Sequence, residues 1–308
     1  MSDVWTITQF LVFPGLVFTA AAGLLTSWLD RKVTAWVQMR VGPPLAQPFY
    51  DIAKLMIKET CVPANGSIGL FLFAPLLGFA AMALASTILW RALIDPETAF
   101  VGDLIVLLYL LAMPALGVIL GSFASRNPLA SLGGSREVKL MIAYELPLVL
   151  AVIVPVIQVG SIRLGDILAA PAAVASPSGV LALLVAATCM QAKLSSVPFD
   201  MPEAETELSG GAYIEYSGPP LAMFKLTRAM MLFTMPVFLV VVFLGGTVGS
   251  GTWESAAAGV GTWLLLIVLM VVIRNTTPRV RIDQAVRFFW GPVTLVALVA
   301  AGLAWIGW

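Results

Sequence analysis

The feature that most constrains this chain is a series of long apolar runs. A helix needs about 20 apolar residues to cross the hydrocarbon core of a bilayer. Eight runs of roughly this length cover residues 5–29, 68–92, 101–122, 138–160, 179–195, 220–246, 259–273 and 288–307. Because backbone inside lipid must satisfy its own hydrogen bonds, the sequence predicts an all-α polytopic membrane protein with about eight transmembrane helices.

The composition narrows the chemistry that the chain itself can carry. Only 11% of its residues are charged and 60% are hydrophobic, whereas soluble domains carry about 25% charged residues. It has no histidine, and its two cysteines, Cys61 and Cys189, are far apart. We therefore expect no metal or other cofactor bound by this chain, and any redox centre on partner chains. The sequence contains no nucleic-acid-binding module.

The positively charged residues indicate the orientation. Fifteen of the seventeen Lys and Arg residues fall in or beside the first, third, fifth and seventh connections, and only Arg91 and Arg163 fall in the even ones. Cytoplasmic connections of membrane proteins are enriched in Lys and Arg. The sequence predicts a multi-pass protein of the cell inner (cytoplasmic) membrane, with the odd connections in the cytoplasm and both termini outside.

The first connection contains an amphipathic segment. The apolar residues of QPFYDIAKLMIKE recur at helical spacing, and Asp51, Lys54 and Lys58 lie on the other side. This pattern predicts a helix at the cytoplasmic interface, after the first span. Since no soluble domain is found, residues 1–308 are predicted to form a single transmembrane domain with an amphipathic connection, 44–60, and an acidic cytoplasmic loop, 196–221.

The acidic loop contains the segment PFDMPEAETELSGGAYIEYSG, residues 198–218. Its five carboxylates are those of Asp200, Glu203, Glu205, Glu207 and Glu215. Like charges placed close together raise one another's pKa, and so does partial burial, which favours proton exchange at cytoplasmic pH. The apolar residues at its edges favour a packed loop that relays protons. An exposed acidic loop is the alternative.

Glu145 is an ionisable residue inside the fourth apolar run. A carboxylate at membrane depth is costly, so it normally faces protein or a water-filled cavity and has a function. The alternative is an interfacial carboxylate that pairs with Lys139. The position of Glu145 within the run favours the functional interpretation.

Several segments resemble one known family. They are DRKVTAWVQMRVGP (30–43), QPFYDIAKLMIKE (47–59), the spacing from Arg136 to Tyr144–Glu145, and the acidic segment 198–218. These segments are similar to the first subunit of the membrane arm of respiratory complex I. The same subunit occurs in energy-converting membrane-bound NiFe hydrogenases, including formate hydrogenlyase. The resemblance implies eight spans, both termini outside, and a subunit of a multi-subunit oxidoreductase.

The resemblance also implies roles for individual residues. A chain of buried carboxylates would couple redox events to proton movement. Carried over residue by residue, this proton relay comprises Glu145, Asp200, Glu203, Glu205, Glu207 and Glu215. Docking to peripheral subunits would involve Arg31, Lys32, Arg40 and Arg136.

The partners implied by the resemblance would carry the redox chemistry. They are hydrogenase-like large and small (iron–sulfur) peripheral subunits with NiFe and 4Fe-4S centres, a ferredoxin-like iron–sulfur subunit, and antiporter-like membrane subunits. The chain departs from the complex I pattern, because Lys193 and Arg228 stand where complex I has glutamates. Two acids of the relay have thus become bases, and the quinone entrance is altered. The GPPLAQP turn and EYSGPPLAMFKL favour the hydrogenase branch, with quinone reduction as the second alternative.

Two functions from other classes stay open. An autonomous ion carrier would transport ions as an isolated chain, but the sequence lacks the inverted repeats that build many carriers. A passive anchor for a soluble enzyme would tolerate neutralisation of all five carboxylates of the acidic loop. We expect a proton-coupling subunit of a larger oxidoreductase.

Overall fold

The computed structural model describes residues 8–203, 205–249 and 252–308, and within these ranges it contains helices and no strands. The side chains of residues 205 and 206, and the first three residues of the predicted span 5–29, lie outside the described part. In chain order the α-helices are α1 (Leu16–Val37), α2 (Gln47–Ile57), α3 (Ile68–Ile94), α4 (Asp103–Ala124), α5 (Pro128–Val159), α6 (Leu164–Ala169), α7 (Pro177–Lys193), α8 (Glu205–Leu208), α9 (Gly218–Val248), α10 (Trp253–Thr276), α11 (Ile282–Phe288) and α12 (Thr294–Ile306).

Seven segments of the described chain are long and apolar enough to cross a membrane. They are Thr8–Val37, which includes α1, then α3, α4, α5, α9 and α10, and finally Ile282–Ile306. The last segment joins α11 to α12 through a π-helical turn, Phe289–Val293, which contains Pro292. These helices confirm the predicted all-α polytopic membrane fold.

The fifth predicted span is the shorter helix α7. Its 17 residues correspond to about 25 Å of α-helix, at the lower limit for crossing the hydrocarbon core. Pro177 occupies its first turn, and the Ser176 side chain accepts a hydrogen bond from the Gly179 N–H, so the helix start is well capped. Because α7 packs against α5 and α12, it forms part of the bundle interior.

The most buried of the spanning segments is α9. It packs against α1, α3 and α10. Where α9 meets α1, a Cβ atom added to Gly23 would lie only 2.6 Å from the Ala229 carbonyl oxygen. Small residues allow such close approach of two helix backbones in a membrane. This contact brings the first span against the centre of the bundle.

The connections separate into two ends of the bundle. At one end, named the charged end, the Ser67 N–H of the first connection donates to Ala124 O at the end of α4, and the Val280 N–H of the seventh donates to Pro198 O of the fifth. Arg274 at the end of α10 pairs with Asp30 of α1 at 3.0 Å. The odd connections, which contain most of the Lys and Arg residues, therefore lie together.

The opposite end holds the even connections. Arg163 donates there to the carbonyl oxygens of Glu97 and Ala99, and the Ser178 hydroxyl donates to the carbonyl of the last residue, Trp308. The predicted separation of charge between odd and even connections is thus present in the fold. Which end faces the cytoplasm stays a prediction.

The amphipathic helix predicted within 44–60 is α2, which lies at the charged end beside α1 and α9. Asp51 of α2 accepts hydrogen bonds from Arg31 of α1, at 2.8 Å, and from Gln47. Although partial burial opposes it, these donors hold the pKa of Asp51 below its usual value. The pair therefore fixes α2 against the first span.

Candidate functional site

The acidic loop folds back against the bundle at the charged end. Its apolar side chains are buried, namely those of Phe199, Met201, Leu208, Ala212 and Tyr216. A Cβ atom on Gly133 of α5 would lie 2.6 Å from the Ala212 nitrogen and 2.9 Å from the Pro202 carbonyl oxygen. The absence of a side chain at Gly133 lets the loop backbone pack directly on α5. The loop is therefore packed, as its apolar edges predicted.

The tyrosines of the loop anchor it. The Tyr216 hydroxyl donates to the Phe71 carbonyl of α3 at 2.9 Å, and its ring stacks on the Phe71 ring. Burial raises the pKa of Tyr216 and, together with the nearby Glu203 carboxylate, that of Tyr213. Both phenols therefore stay neutral and act as hydrogen-bonding and packing groups at physiological pH.

Four of the predicted relay acids form ion pairs with residues on other elements. The pairs are Asp200 with Arg279, Glu203 with Arg228, Glu207 with Arg136, and Glu145 with Lys193. Glu215 accepts a hydrogen bond from the Asn127 side chain instead. The backbone of Glu205 lies in α8, and its side chain is outside the described part. The structure therefore places these acids at the charged end, bound to bases or amides.

The paired acids differ in their access to water. The exposed fraction of the side chain is 13% for Asp200, 23% for Glu203 and 55% for Glu207. The Arg136 guanidinium, 2.8 Å away, holds the pKa of Glu207 below its usual range. Glu207 thus behaves as an ionised surface residue, whereas Asp200 and Glu203 are largely withdrawn from solvent.

Glu145 pairs with Lys193, the last residue of α7, and not with Lys139. The Lys193 side chain is fully buried, and its ammonium lies 5.2 Å from the centre of the Tyr144 ring. A buried ammonium needs an anion nearby, because its desolvation would otherwise be very costly. The base that departs from the complex I pattern therefore neutralises the predicted relay acid of α5.

Arg228 acts in the same way on the acidic loop. Its guanidinium binds the Glu203 carboxylate and also donates to the Ser195 carbonyl oxygen at 3.1 Å. It thus connects α9 to both ends of the fifth connection. Each of the two departures from the complex I pattern consequently forms an ion pair with one predicted relay acid.

Glu137 was not among the predicted relay acids, yet the structure places it at the centre of these pairs. It is 2% exposed, and among the described residues its Oε2 atom has no hydrogen-bond partner. It faces a cavity of about 40 Å³ that Lys193, Glu203, Tyr213 and Arg228 also line. Such a cavity is large enough for a few water molecules. Glu137 is therefore a buried acid between the two ion pairs.

One sequence signal could have identified Glu137. Gly133 and Gly134 precede it by one turn of α5, and a Cβ on Gly134 would overlap the Ser122 hydroxyl of α4. Two adjacent glycines in a helix indicate that neighbouring elements approach closely at that turn. An acid that follows them is expected to be enclosed rather than exposed.

The predicted docking residues have different environments. Arg31 and Arg136 form ion pairs within the chain. Arg40 is exposed, and Lys32 is half-buried beside Gly42. Docking of peripheral subunits to these residues stays a prediction.

The acids of the charged end do not form a metal site. Within the described ranges, no group of three or more His, Cys, Asp or Glu side chains is placed to hold a metal ion. Cys61 is exposed and Cys189 is buried, so the two are not brought together. The acids instead alternate with Arg and Lys, an arrangement suited to charge coupling.

Comparison with known proteins gives consistent results. The family model described as NADH dehydrogenase matches residues 9–305. A membrane-protein relative from Brevibacillus brevis, a subunit of its NADH-quinone oxidoreductase, is 35% identical, and the match covers 95% of this chain and 91% of the relative. The corresponding NADH-quinone oxidoreductase subunit of Anoxybacillus flavithermus is 37% identical, over 88% of this chain and 84% of its own length.

A solved structure is also similar. It is a chain from the membrane-bound sulfane sulfur reductase, described as an archaeal respiratory membrane complex. The TM-score is 0.86 at 28% sequence identity, and the match covers 97% of this chain and 99% of the archaeal one. The bundle therefore matches along nearly its whole length.

Proposed function

This chain belongs to the NADH dehydrogenase family, and we propose that it couples redox chemistry on partner subunits to proton movement through its own carboxylates. It is a membrane subunit of a complex I-like oxidoreductase. The redox catalytic centre belongs, in this proposal, to partner chains. The proton relay belongs to this one.

The observation that supports the proposal is the placement of Glu137. It is buried, has an unpartnered oxygen among the described residues, and faces the same cavity as Lys193, Glu203 and Arg228. A carboxyl group in such a place can change its protonation when a neighbouring charge changes, because little solvent screens the interaction. Glu137 is therefore the group on which a redox event at the charged end would act.

The other acids extend from Glu137 in two directions. Glu203 and Asp200 lie toward the loop surface, and Glu145 lies eight residues further along α5, which is about 12 Å deeper along the helix axis. Lys193 connects the two levels, because it binds Glu145 and also lines the Glu137 cavity. We propose that this series carries protons from the charged end toward the membrane interior.

We propose further that the complex is of the membrane-bound NiFe hydrogenase or formate hydrogenlyase type. Lys193 and Arg228 support this choice, because they pair with relay acids at positions where complex I has glutamates. The structural similarity to a sulfane sulfur reductase, a respiratory complex, supports it as well. In this proposal the partners are iron–sulfur and hydrogenase-like peripheral subunits and antiporter-like membrane subunits, and both termini lie outside the inner membrane.

Quinone reduction is the second candidate. The similarity to named NADH-quinone oxidoreductase subunits favours it, and so does a cavity of about 520 Å³ between α1, α2 and α9. However, Arg31, Lys54, Lys58 and Lys225 line that cavity. A lining with this charge suits an anionic ligand better than a neutral quinone. Supplying the purified complex with a quinone and with protons as alternative electron acceptors distinguishes the two candidates.

The relay is tested with the assembled complex in sealed vesicles. We expect Glu145→Gln to abolish proton movement driven by the electron donor, with all subunits still present by mass spectrometry. Glu97→Gln is the matched control, because Glu97 is an exposed acid at the opposite end, and it is expected to keep wild-type transport. Normal proton movement in Glu145→Gln would refute the relay.

A further inference from the structure

The cavity between α1, α2 and α9, named the rim cavity, has a lining that changes along the membrane normal. Its charged residues are Arg31, Asp51, Lys54, Lys58 and Lys225, and its apolar residues include Leu24, Ile52, Leu55 and Ala229. The volume of about 520 Å³ lies within the usual range of small-molecule sites. The cavity is therefore large enough for part of an organic ligand.

The charged residues lie at the rim and the apolar residues deeper. On α1, Arg31 is close to the charged end, and Leu24 is seven residues further into the bundle, about 10 Å along the axis. On α9, Lys225 is likewise nearer the charged end than Ala229. The helix α2 closes the side. The ligand that fits is anionic at one end and apolar at the other.

The rim carries more positive charge than the chain neutralises. Of its four cations, only Arg31 forms an ion pair within the described ranges, with Asp51 at 2.8 Å. Lys54, Lys58 and Lys225 are exposed. A second cavity of about 270 Å³ adjoins this one through Ser27, Arg31, Lys225 and Ala229, and adds Arg228 and Arg274. The surplus of positive charge thus extends along the whole of this face.

We propose that the rim cavity binds one acidic phospholipid, with the phosphate among Lys54, Lys58 and Lys225 and an acyl chain along Leu24, Ile52 and Ala229. Basic residues beside membrane spans attract anionic lipid headgroups, and the amphipathic α2 lies where such a headgroup would be. The lipid would join α2 to α1 and α9. This assignment does not depend on the proton relay.

The test uses the whole complex, purified and stripped of lipid in detergent. Phosphatidylglycerol, phosphatidylcholine or inorganic phosphate is then added, and bound lipid is counted by native mass spectrometry. The variant is Lys54→Gln with Lys225→Gln. Since each Lys near an acidic headgroup contributes roughly 5-fold in affinity, we expect the loss of one tightly held phosphatidylglycerol, with affinity about 25-fold weaker.

Two controls accompany the variant. Arg126→Gln with Lys139→Gln removes two exposed cations at the same end of the bundle but outside the rim cavity, and should retain the lipid. Lys54→Arg with Lys225→Arg keeps the charge and should also retain it.

Four outcomes would overturn the assignment. They are equal phosphatidylglycerol binding by the variant and the wild type, equal binding of phosphatidylcholine, displacement by inorganic phosphate alone, and extraction of a neutral quinone in place of the lipid. Loss of a partner subunit from the variant would also overturn it, because it would identify the rim as a protein contact.

Discussion

Two buried carboxylates, at opposite ends of the bundle, show how differently the same group is used. Asp103, at the start of α4, is fully buried, and its Oδ1 accepts hydrogen bonds from the N–H groups of Leu104 and Leu164. Glu137, at the charged end, is 2% exposed and faces a cavity lined by Lys193, Glu203 and Arg228. Each has a second oxygen without a hydrogen-bond partner among the described residues.

The difference lies in the donors. Backbone N–H groups hold Asp103, and they cannot change charge, so this carboxylate ties the start of α6 to the start of α4. Ionised side chains surround Glu137, and their charges respond to the surroundings. Burial alone therefore does not identify a functional acid, whereas charged neighbours around a cavity do.

The largest effect is expected at Glu137. Because a carboxyl group that transfers a proton typically contributes at least about 100-fold, Glu137→Gln should lower donor-driven proton movement in vesicles by about that factor. Asp103→Asn should leave the rate of proton movement per assembled complex near that of the wild type. If both variants lost transport equally, the distinction between a structural and a relaying carboxylate would fail.

A second prediction concerns the pair beneath Glu137. Lys193→Met leaves Glu145 without its base, and the loss of one partner of a buried pair costs about 3 kcal/mol. The double variant Lys193→Met with Glu145→Leu should recover most of this stability, since no unpaired charge remains. Thermal unfolding of the purified complex measures both, and additive losses would show that the two residues are not coupled.

The structural carboxylate provides a third prediction. Asp103→Ala removes the acceptor for two backbone N–H groups, of Leu104 and Leu164, and unsatisfied buried donors cost about 1–3 kcal/mol each. We expect faster hydrogen exchange confined to the starts of α4 and α6, measured by mass spectrometry. Unchanged exchange at residue 164 would contradict the role of Asp103 as a link between them.

The smallest effect is expected at the surface pair of Arg31 and Asp51. The pKa of Asp51 is lowered from 3.8 in the folded chain, so the pair contributes stability above that pH and loses it as the pH falls through the folded pKa. Since both side chains are partly exposed, the contribution is less than about 1 kcal/mol. Hydrogen exchange of residues 47–57 should increase modestly in acid, and this increase should be absent in Arg31→Gln.

Much of the fold could be predicted from the sequence, because span length and the positions of Lys and Arg are each imposed by the membrane. The apolar runs correspond to the helices, and the odd connections do lie together. The signal for α7 was weaker, since its 17 residues are close to the minimum for a span. The π-helical turn at Phe289–Val293 carries no periodic signal and was not predicted.

The site could be predicted only in part. The acids of the loop were found because they are concentrated in one segment, but their partners Arg136, Arg228 and Arg279 come from three other elements, and such pairing depends on tertiary packing. Glu137 was missed because nothing in its own helical turn shows that the acidic loop covers it. The glycines before it were the one indication.

The pair of Asp30 and Arg274 has a consequence for biogenesis. These residues are 244 positions apart, so the ribosome must deliver nearly the whole polypeptide before the acid of the first helix meets its guanidinium. A nascent chain that stops earlier exposes Asp30 at the edge of the lipid with no counter-ion from the seventh span. Closure of the helix ring between its first and seventh members is thus a late event, reached only by chains synthesised almost to the end.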